Sequence, residues 1–367
     1  MKKSLIRRAI SASLYLVFLF CVICVSVFVY IKWAEYSRHD VIPQLSERKI
    51  IKRVFIRKEF IEFAEIAFKN ESSGFSASYD FDEVSMLSKD MFQIQEMFGV
   101  KKYKYRPNIG IYNVLIWTGL QGVEFAVPAT SEITKALAKN ELFLYVYFKT
   151  DSNGFKQTEF NWQPDSYTIF FLGDSFTEGL WVTPRETFVN QVGIELQKEN
   201  RPVVPINLGT DGYSALEEDW MLEHYFPIFH PQIVVTNLFP NDVHDDYYKV
   251  VKGEGIPEKN YDEMFYYIQR MKDFCDKLNA KLVISEIPIQ EQFTKLRGSY
   301  VFQKLVKAWC DEHKIMNIDP YNYFDKIGAD SLYFSWDPHF TPRGHLAYSD
   351  FLCSQIDTMI IPKRKLK

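Results

Sequence analysis

The chain has 367 residues, of which 47% are hydrophobic and 25% charged, with 22 Tyr and 31 Phe. A globular domain of roughly 200 residues plus an appendage fits that length, and the composition excludes a disordered chain. With a formal net charge of -4 and no long basic run, nucleic acid is excluded as an expected partner.

Residues Ala9 to Ile31 carry no charge and are rich in Leu, Val, Ile and Phe. At the helical rise they are long enough to cross about 30 Å of hydrocarbon, which predicts a transmembrane anchor over 9–31. Lys2, Lys3, Arg7 and Arg8 precede the run, while only Lys32 and Arg38 follow closely. The positive-inside bias puts the basic segment 1–8 in the cytoplasm and the bulk of the chain outside, which is the periplasm if the cell is Gram-negative. A cleaved signal peptide is the alternative, but the run exceeds the usual apolar length and lacks a small-x-small cleavage site. Cys21 and Cys24 fall inside this run. Cys275, Cys310 and Cys353 lie in helical patterns beside apolar neighbours and are expected to be small buried hydrophobes.

Residues 41–161 read as a stalk and accessory region. It contains an amphipathic stretch near Phe60 to Phe68, an aromatic-rich piece from Tyr103 to Trp117, and a strand-like Leu142 to Phe148. From Ser166 onward, short apolar runs alternate with helical periodicity, as in parallel βα repeats. Strands are predicted at Tyr167–Leu172, Val203–Leu208, Ile233–Leu238, Lys281–Ile287 and Met316–Ile318. Met264, Tyr267, Ile268, Met271, Phe274, Cys275 and Leu278 share one helix face. Thr183-Pro184-Arg185-Glu186 predicts a capped helix start, and Thr341-Pro342 another before a helix with Tyr348, Phe351, Leu352, Ile356 and Met359 on one face. The fold class expected for 166–360 is α/β, a three-layer flavodoxin-like arrangement around a five-stranded parallel sheet. Ligands gather at the carboxyl ends of such strands.

Four segments fall at those ends. Phe170 to Gly179 runs from an apolar strand into Gly173-Asp174-Ser175, which exposes a hydroxyl that becomes nucleophilic only if a base removes its proton. Alone, that tripeptide is more often an ordinary turn. His339, with Asp337 two residues before it, could be that base and its orienting acid; the bland alternative is an Asp-Pro turn with a surface histidine. Gly212, in Asn207-Leu208-Gly209-Thr210-Asp211-Gly212, and Asn241, after the third strand, could supply donors to an oxyanion. A turn glycine and a helix cap are the competing readings. His345 is expected to pack, and His39, His224, His230 and His313 to be structural or on the surface. The cluster Asn241 to Asp246 matches no zinc or calcium spacing, and no cofactor is expected.

Taken together, from Ser166 to Met359, these blocks resemble the SGNH (GDSL-type) hydrolase family. The resemblance implies Ser175 as nucleophile, His339 as base, Asp337 as orienting acid, and an oxyanion hole formed by Ser175, Gly212 and Asn241. Two positions depart from the family pattern. Phe239-Pro240 precede Asn241 where a glycine is usual, and one residue rather than two separates Asp337 from His339. The segment Thr150 to Phe155 is similar to a lead-in found in membrane-anchored bacterial relatives. The implied activity is that of a membrane-anchored, extracytoplasmic serine esterase acting on acyl esters, acetyl esters among them, of a cell-envelope glycan or lipid. An O-acyltransferase using the same residues, or a non-catalytic envelope binding or assembly protein, are the alternatives.

Overall fold

The computed structural model describes residues 26–27, 91–117, 122–139, 143–199, 203–244, 247–252, 255–293, 300–335 and 337–359. The expected anchor over 9–31 lies outside these residues except for Ser26 and Val27, which are helical, and so does the stretch from Phe60 to Phe68. Among the described residues no helix is long and apolar enough to cross a membrane.

The chain divides into two compact units. One comprises Met1–Asn70, Leu115–Val123 and Ser131–Leu144; the other comprises Glu71–Val114, Glu124–Thr130 and Tyr145–Lys367. The second unit holds residues on both sides of position 161. Chain order begins with a hairpin of β1 (Phe92–Met97) and β2 (Val100–Tyr105), paired antiparallel. The aromatic-rich piece then supplies β3 (Gly110–Trp117), which sits between β4 (Gly122–Pro128) and β5 (Phe143–Lys149) in a three-stranded sheet. Helix α1 (Ser131–Ala138) buries Ile133 and Leu137, four residues apart on one face.

Beyond β5 the βα repeats follow the sequence pattern closely. Strands β6 (Tyr167–Gly173), β7 (Val203–Asn207), β8 (Ile233–Leu238), β9 (Lys281–Glu286) and β10 (Met316–Ile318) form one sheet in the order β10-β9-β8-β6-β7. All four pairings are parallel. Chain direction reverses its lateral drift between β6 and β8, which is the switch point where a doubly wound sheet opens a crevice at its carboxyl edge.

Side-chain alternation along the strands splits the core in two. Phe170, Leu172 and Val234 face one layer, while Ile169, Phe171, Ile233 and Val235 face the other. The first layer is closed by Leu222 of α4 (Ala215–Phe229), by Met264, Ile268 and Met271 of α6 (Glu258–Lys277), and by Phe302 and Val306 of α7 (Val301–His313). The second is closed by Val189 and Val192 of α3 (Phe188–Lys198), Phe324 of α8 (Tyr321–Ile327), and Tyr348 and Leu352 of α9 (Pro342–Ile356). Each such large apolar side chain, fully buried, contributes about 1.5–3 kcal/mol, so the sheet is a stiff platform for whatever projects from its edge. Two shorter helices remain, α2 (Ser175–Glu178) directly after β6 and α5 (Tyr247–Lys252) after β8.

The capping signals divide. Thr341 caps α9, its hydroxyl accepting from the Gly344 N-H at 3.1 Å. The Thr183 box forms with Glu186, but it closes only a 3-10 turn over Pro184–Glu186; α3 starts at Phe188 with Thr187 as its own cap. Thr187 carries the hydroxyl that meets the Asn190 N-H, so the helix begins one turn later than the first box suggests. Cys275 and Cys310 are buried, Cys353 is half-buried, and all three are free thiols.

Candidate active site

Strand β6 delivers Gly173-Asp174-Ser175 to the carboxyl edge of the sheet. Asp174 caps the short α2, one carboxylate oxygen accepting from the Phe176 N-H at 2.9 Å, and Gly179 ends the turn in the left-handed region. That cap fixes Ser175 as the first residue of the turn, where a backbone N-H has no partner within the helix. The hydroxyl of Ser175 lies 2.7 Å from Nε2 of His339. Nδ1 of His339 in turn lies 2.5 Å from Oδ1 of Asp337, and the same oxygen accepts from the His339 backbone N-H at 2.9 Å. The single-residue spacing of Asp337 and His339 is thus closed as a tight turn in which one carboxylate oxygen serves both the backbone and the ring. Since Nδ1 faces a carboxylate, the single proton of the neutral ring is assigned there, leaving Nε2 of that form with a lone pair toward Ser175.

Burial opposes a charged His339 ring, but the Asp337 carboxylate against it, aided by Asp174 and Asp211, overrides burial and raises the ring to about 9. Asp337 shows the mirror effect. Burial would raise it, yet His339, and after it the Trp181 indole, hold it below its ordinary value. Trp181 reaches this position from a backbone in the left-handed region (φ 66°), unusual for a bulky residue. Its loop is clamped from below by Lys156, whose buried ammonium donates to the carbonyls of Gly179 at 2.6 Å and Val182 at 2.7 Å.

Asn241 sits in a 3-10 turn, Pro240–Asp242, just past β8. Its Nδ2 donates to the second oxygen of Asp174 at 2.9 Å, which leaves one N-H of the amide for another acceptor. Phe239, in the place where the family pattern has glycine, packs its ring 4.6 Å from that of Phe176, which itself lies 4.6 Å from the His339 ring. The missing glycine is therefore replaced by an aromatic wall beside the histidine. Gly212 has a φ of 72° in the loop after β7, a conformation that favours glycine, and among the described residues its N-H donates to no group of the protein. Gly209 in the same loop lies against α2 so closely that a Cβ would come within 2.3 Å of the Glu178 nitrogen.

The other expectations can be placed as well. His345 is buried, its Nδ1 accepting from the Phe188 N-H at 3.2 Å with the rings stacked, and burial lowers it well below its ordinary value. His224 stacks on Trp220 and His313 on Trp309, and His230 forms the left-handed end of α4. Among the described residues no group of three or more His, Cys, Asp or Glu could hold a metal ion.

Several residues around the site were given no role from the sequence. Asp174 is one, doubling as helix cap and anchor for Asn241. Glu178 is another: it is buried, accepts from the Asp211 N-H at 2.8 Å and from the Tyr105 hydroxyl at 3.3 Å, and burial raises it despite the nearby Lys156. Glu218 and Asp242 are both pushed well above ordinary carboxylate values, first by burial and then by neighbouring acids that include Asp174. A polar residue at the end of an apolar run is the only trace such groups leave in a sequence.

No known protein family matches the chain by sequence, and no curated protein does. Among solved structures, the chain is similar to TesA at 14% identity and a TM-score of 0.43, over 53% of this chain and 99% of that one. It is similar to the psychrotrophic esterase EstA from Pseudoalteromonas sp., in a structure inhibited by monoethylphosphonate, at 18% identity and a TM-score of 0.43, over 53% and 98%. It is also similar to the lipase/acylhydrolase from Enterococcus faecalis at 20% identity and a TM-score of 0.41, over 54% and 98%.

Proposed function

We propose that this protein is a serine esterase that cleaves acyl esters through Ser175, His339 and Asp337. The observation that carries the reading is the unbroken line Ser175 Oγ to His339 Nε2 at 2.7 Å and His339 Nδ1 to Asp337 Oδ1 at 2.5 Å. Neutral His339 takes the hydroxyl proton as Ser175 Oγ bonds to the acyl carbon, and Asp337 stabilises the imidazolium that forms. The carbonyl electrons move to oxygen. This oxyanion is met by the N-H groups of Ser175 and Gly212 and by the free amide N-H of Asn241, donors that need no reorganisation as charge develops. Collapse breaks the ester bond, and the imidazolium gives its proton to the departing alcohol. Water, deprotonated by the same ring, then attacks the acyl-serine and releases the acid and the free enzyme.

Acetyl and other short acyl esters of an envelope glycan or lipid are the substrates we assign, with the catalytic unit tethered outside the cytoplasmic membrane. What supports the tether is the uncharged run Ala9 to Ile31 behind Lys2, Lys3, Arg7 and Arg8. Turnover of p-nitrophenyl acetate tests the chemistry. The wild-type chain should hydrolyse it, and Ser175→Ala should bring the rate to background. Equal rates for the two proteins would refute the assignment.

A further inference from the structure

The loop that carries Gly212 is held by strand β2, more than a hundred residues earlier in the chain. The Tyr103 hydroxyl donates to the backbone carbonyl of Asp211, and the Tyr213 hydroxyl donates back to the carbonyl of Tyr103 at 2.7 Å. Gly212 thus lies between two residues tied reciprocally to one strand position. Behind them, the Asp211 N-H is held by Glu178 at 2.8 Å, and Glu178 accepts from Tyr105, the next residue on the same face of β2, at 3.3 Å. All of these side chains are buried.

The carbonyl that Tyr103 holds belongs to the same peptide group as the Gly212 N-H. A planar trans peptide points its C=O and its N-H in opposite directions, so fixing one fixes the other. This peptide is also one that could turn over. Thr210 to Tyr213 is a turn closed by the Tyr213 N-H on the Thr210 carbonyl at 3.1 Å, with positive φ at Gly212 and not at Asp211, as in a type II turn. Type I and type II turns differ by a flip of their central peptide, here Asp211–Gly212, and glycine tolerates both. Flipped, the group would present a carbonyl where the N-H had been.

We infer that Tyr103 is a positioning residue for the esterase chemistry proposed above: its bond to the Asp211 carbonyl holds the Asp211–Gly212 peptide with the Gly212 N-H toward the oxyanion. The inference rests on that reading of the site. It assigns the hairpin of β1 and β2 a part in transition-state stabilisation, since hydrogen bonding at the carbonyl also polarises the peptide and strengthens its N-H as a donor. The phenol stays protonated at working pH, because burial, with Asp211 next, pushes it well above its ordinary value.

The test is steady-state kinetics on the full chain with p-nitrophenyl acetate, together with the rate of phosphonylation by a fluorophosphonate, whose P=O oxygen takes the oxyanion position. Tyr103→Phe keeps the ring and removes the donor; kcat and the phosphonylation rate should fall together by about tenfold, with KM unchanged. Tyr105→Phe, one link further back, should change kcat by less than about twofold. A loss confined to KM or to thermal stability, or unchanged kcat, would overturn the inference. Should Tyr103→Phe not fold, 3-fluorotyrosine in place of Tyr103 decides, being nearly isosteric and a stronger donor: a raised kcat supports the inference, and an unchanged or lowered one overturns it. A wild-type chain inert to both reagents would overturn the esterase reading and this inference with it. An active wild type indifferent to Tyr103 would overturn this inference alone.

Discussion

The two sides of the site are supported in opposite ways. On the base side, His339 is oriented by Asp337, two residues away, through a ring bond and a backbone bond to one oxygen, and the Asp337 charge raises the ring's basicity. On the oxyanion side, Gly212 has no such neighbour. Its peptide is held by Tyr103, 108 positions apart from Asp211 in sequence, and its loop is braced by Glu178. A charge acts in every direction, so a partner placed by local turn geometry suffices. A peptide dipole must be aimed, which takes contacts from another part of the fold.

That contrast predicts graded losses. Asp337→Asn should cost the most, on the order of 10³- to 10⁴-fold in kcat, because the ring loses both its fixed tautomer and the charge that stabilises the imidazolium. The same variant should move the pH profile. With a ring raised to about 9, the neutral base grows in as pH rises, so wild-type kcat/KM should increase with pH and level off above about 9. Asp337→Asn removes the main raising influence and leaves burial, which lowers, so the inflection should move to lower pH. An inflection that stays in place would mean that Asp337 does not set the ring's charge.

Asn241→Ala should follow, with kcat reduced about 100- to 1,000-fold and little change in KM, as expected for one lost oxyanion donor. A drop of only a few-fold would confine Asn241 to its bond with Asp174 at 2.9 Å. Tyr103→Phe comes last, at about tenfold, since it disturbs the aim of a donor without deleting it. If Tyr103→Phe cost more than Asn241→Ala, the long-range side would dominate and the contrast would be inverted.

The same division decides what could be read from the sequence. All five strands of the parallel sheet were legible because each is an apolar run with turn residues at its end, and Ile233–Leu238 and Met316–Ile318 match residue for residue. The meeting of Ser175, His339 and Asp337 was legible because their company at strand ends was. The hairpin was not. Val100-Lys101-Lys102-Tyr103-Lys104-Tyr105 looks like a solvated edge, yet its last four residues are buried. Lys102 pairs with the buried Glu217, and Lys104 meets the Tyr225 hydroxyl and lies over the Phe155 ring. Burial lowers Lys104 to about 8. A lysine's fate depends on the partner the fold brings to it, and neither Glu217 nor Tyr225 marks itself as that partner. The late start of α3 was hidden because Thr183 and Thr187 are both good caps, and the first closes only a 3-10 turn before the second starts the helix.

The central claim is that Ser175 is a nucleophile activated by His339. Intact mass and peptide mapping after incubation with excess fluorophosphonate test it most directly. One phosphonyl adduct is expected on the wild-type chain, located on Ser175, and none on Ser175→Ala or His339→Ala. A wild-type chain that stays unmodified, or an adduct that maps to another residue and survives in Ser175→Ala, would contradict it.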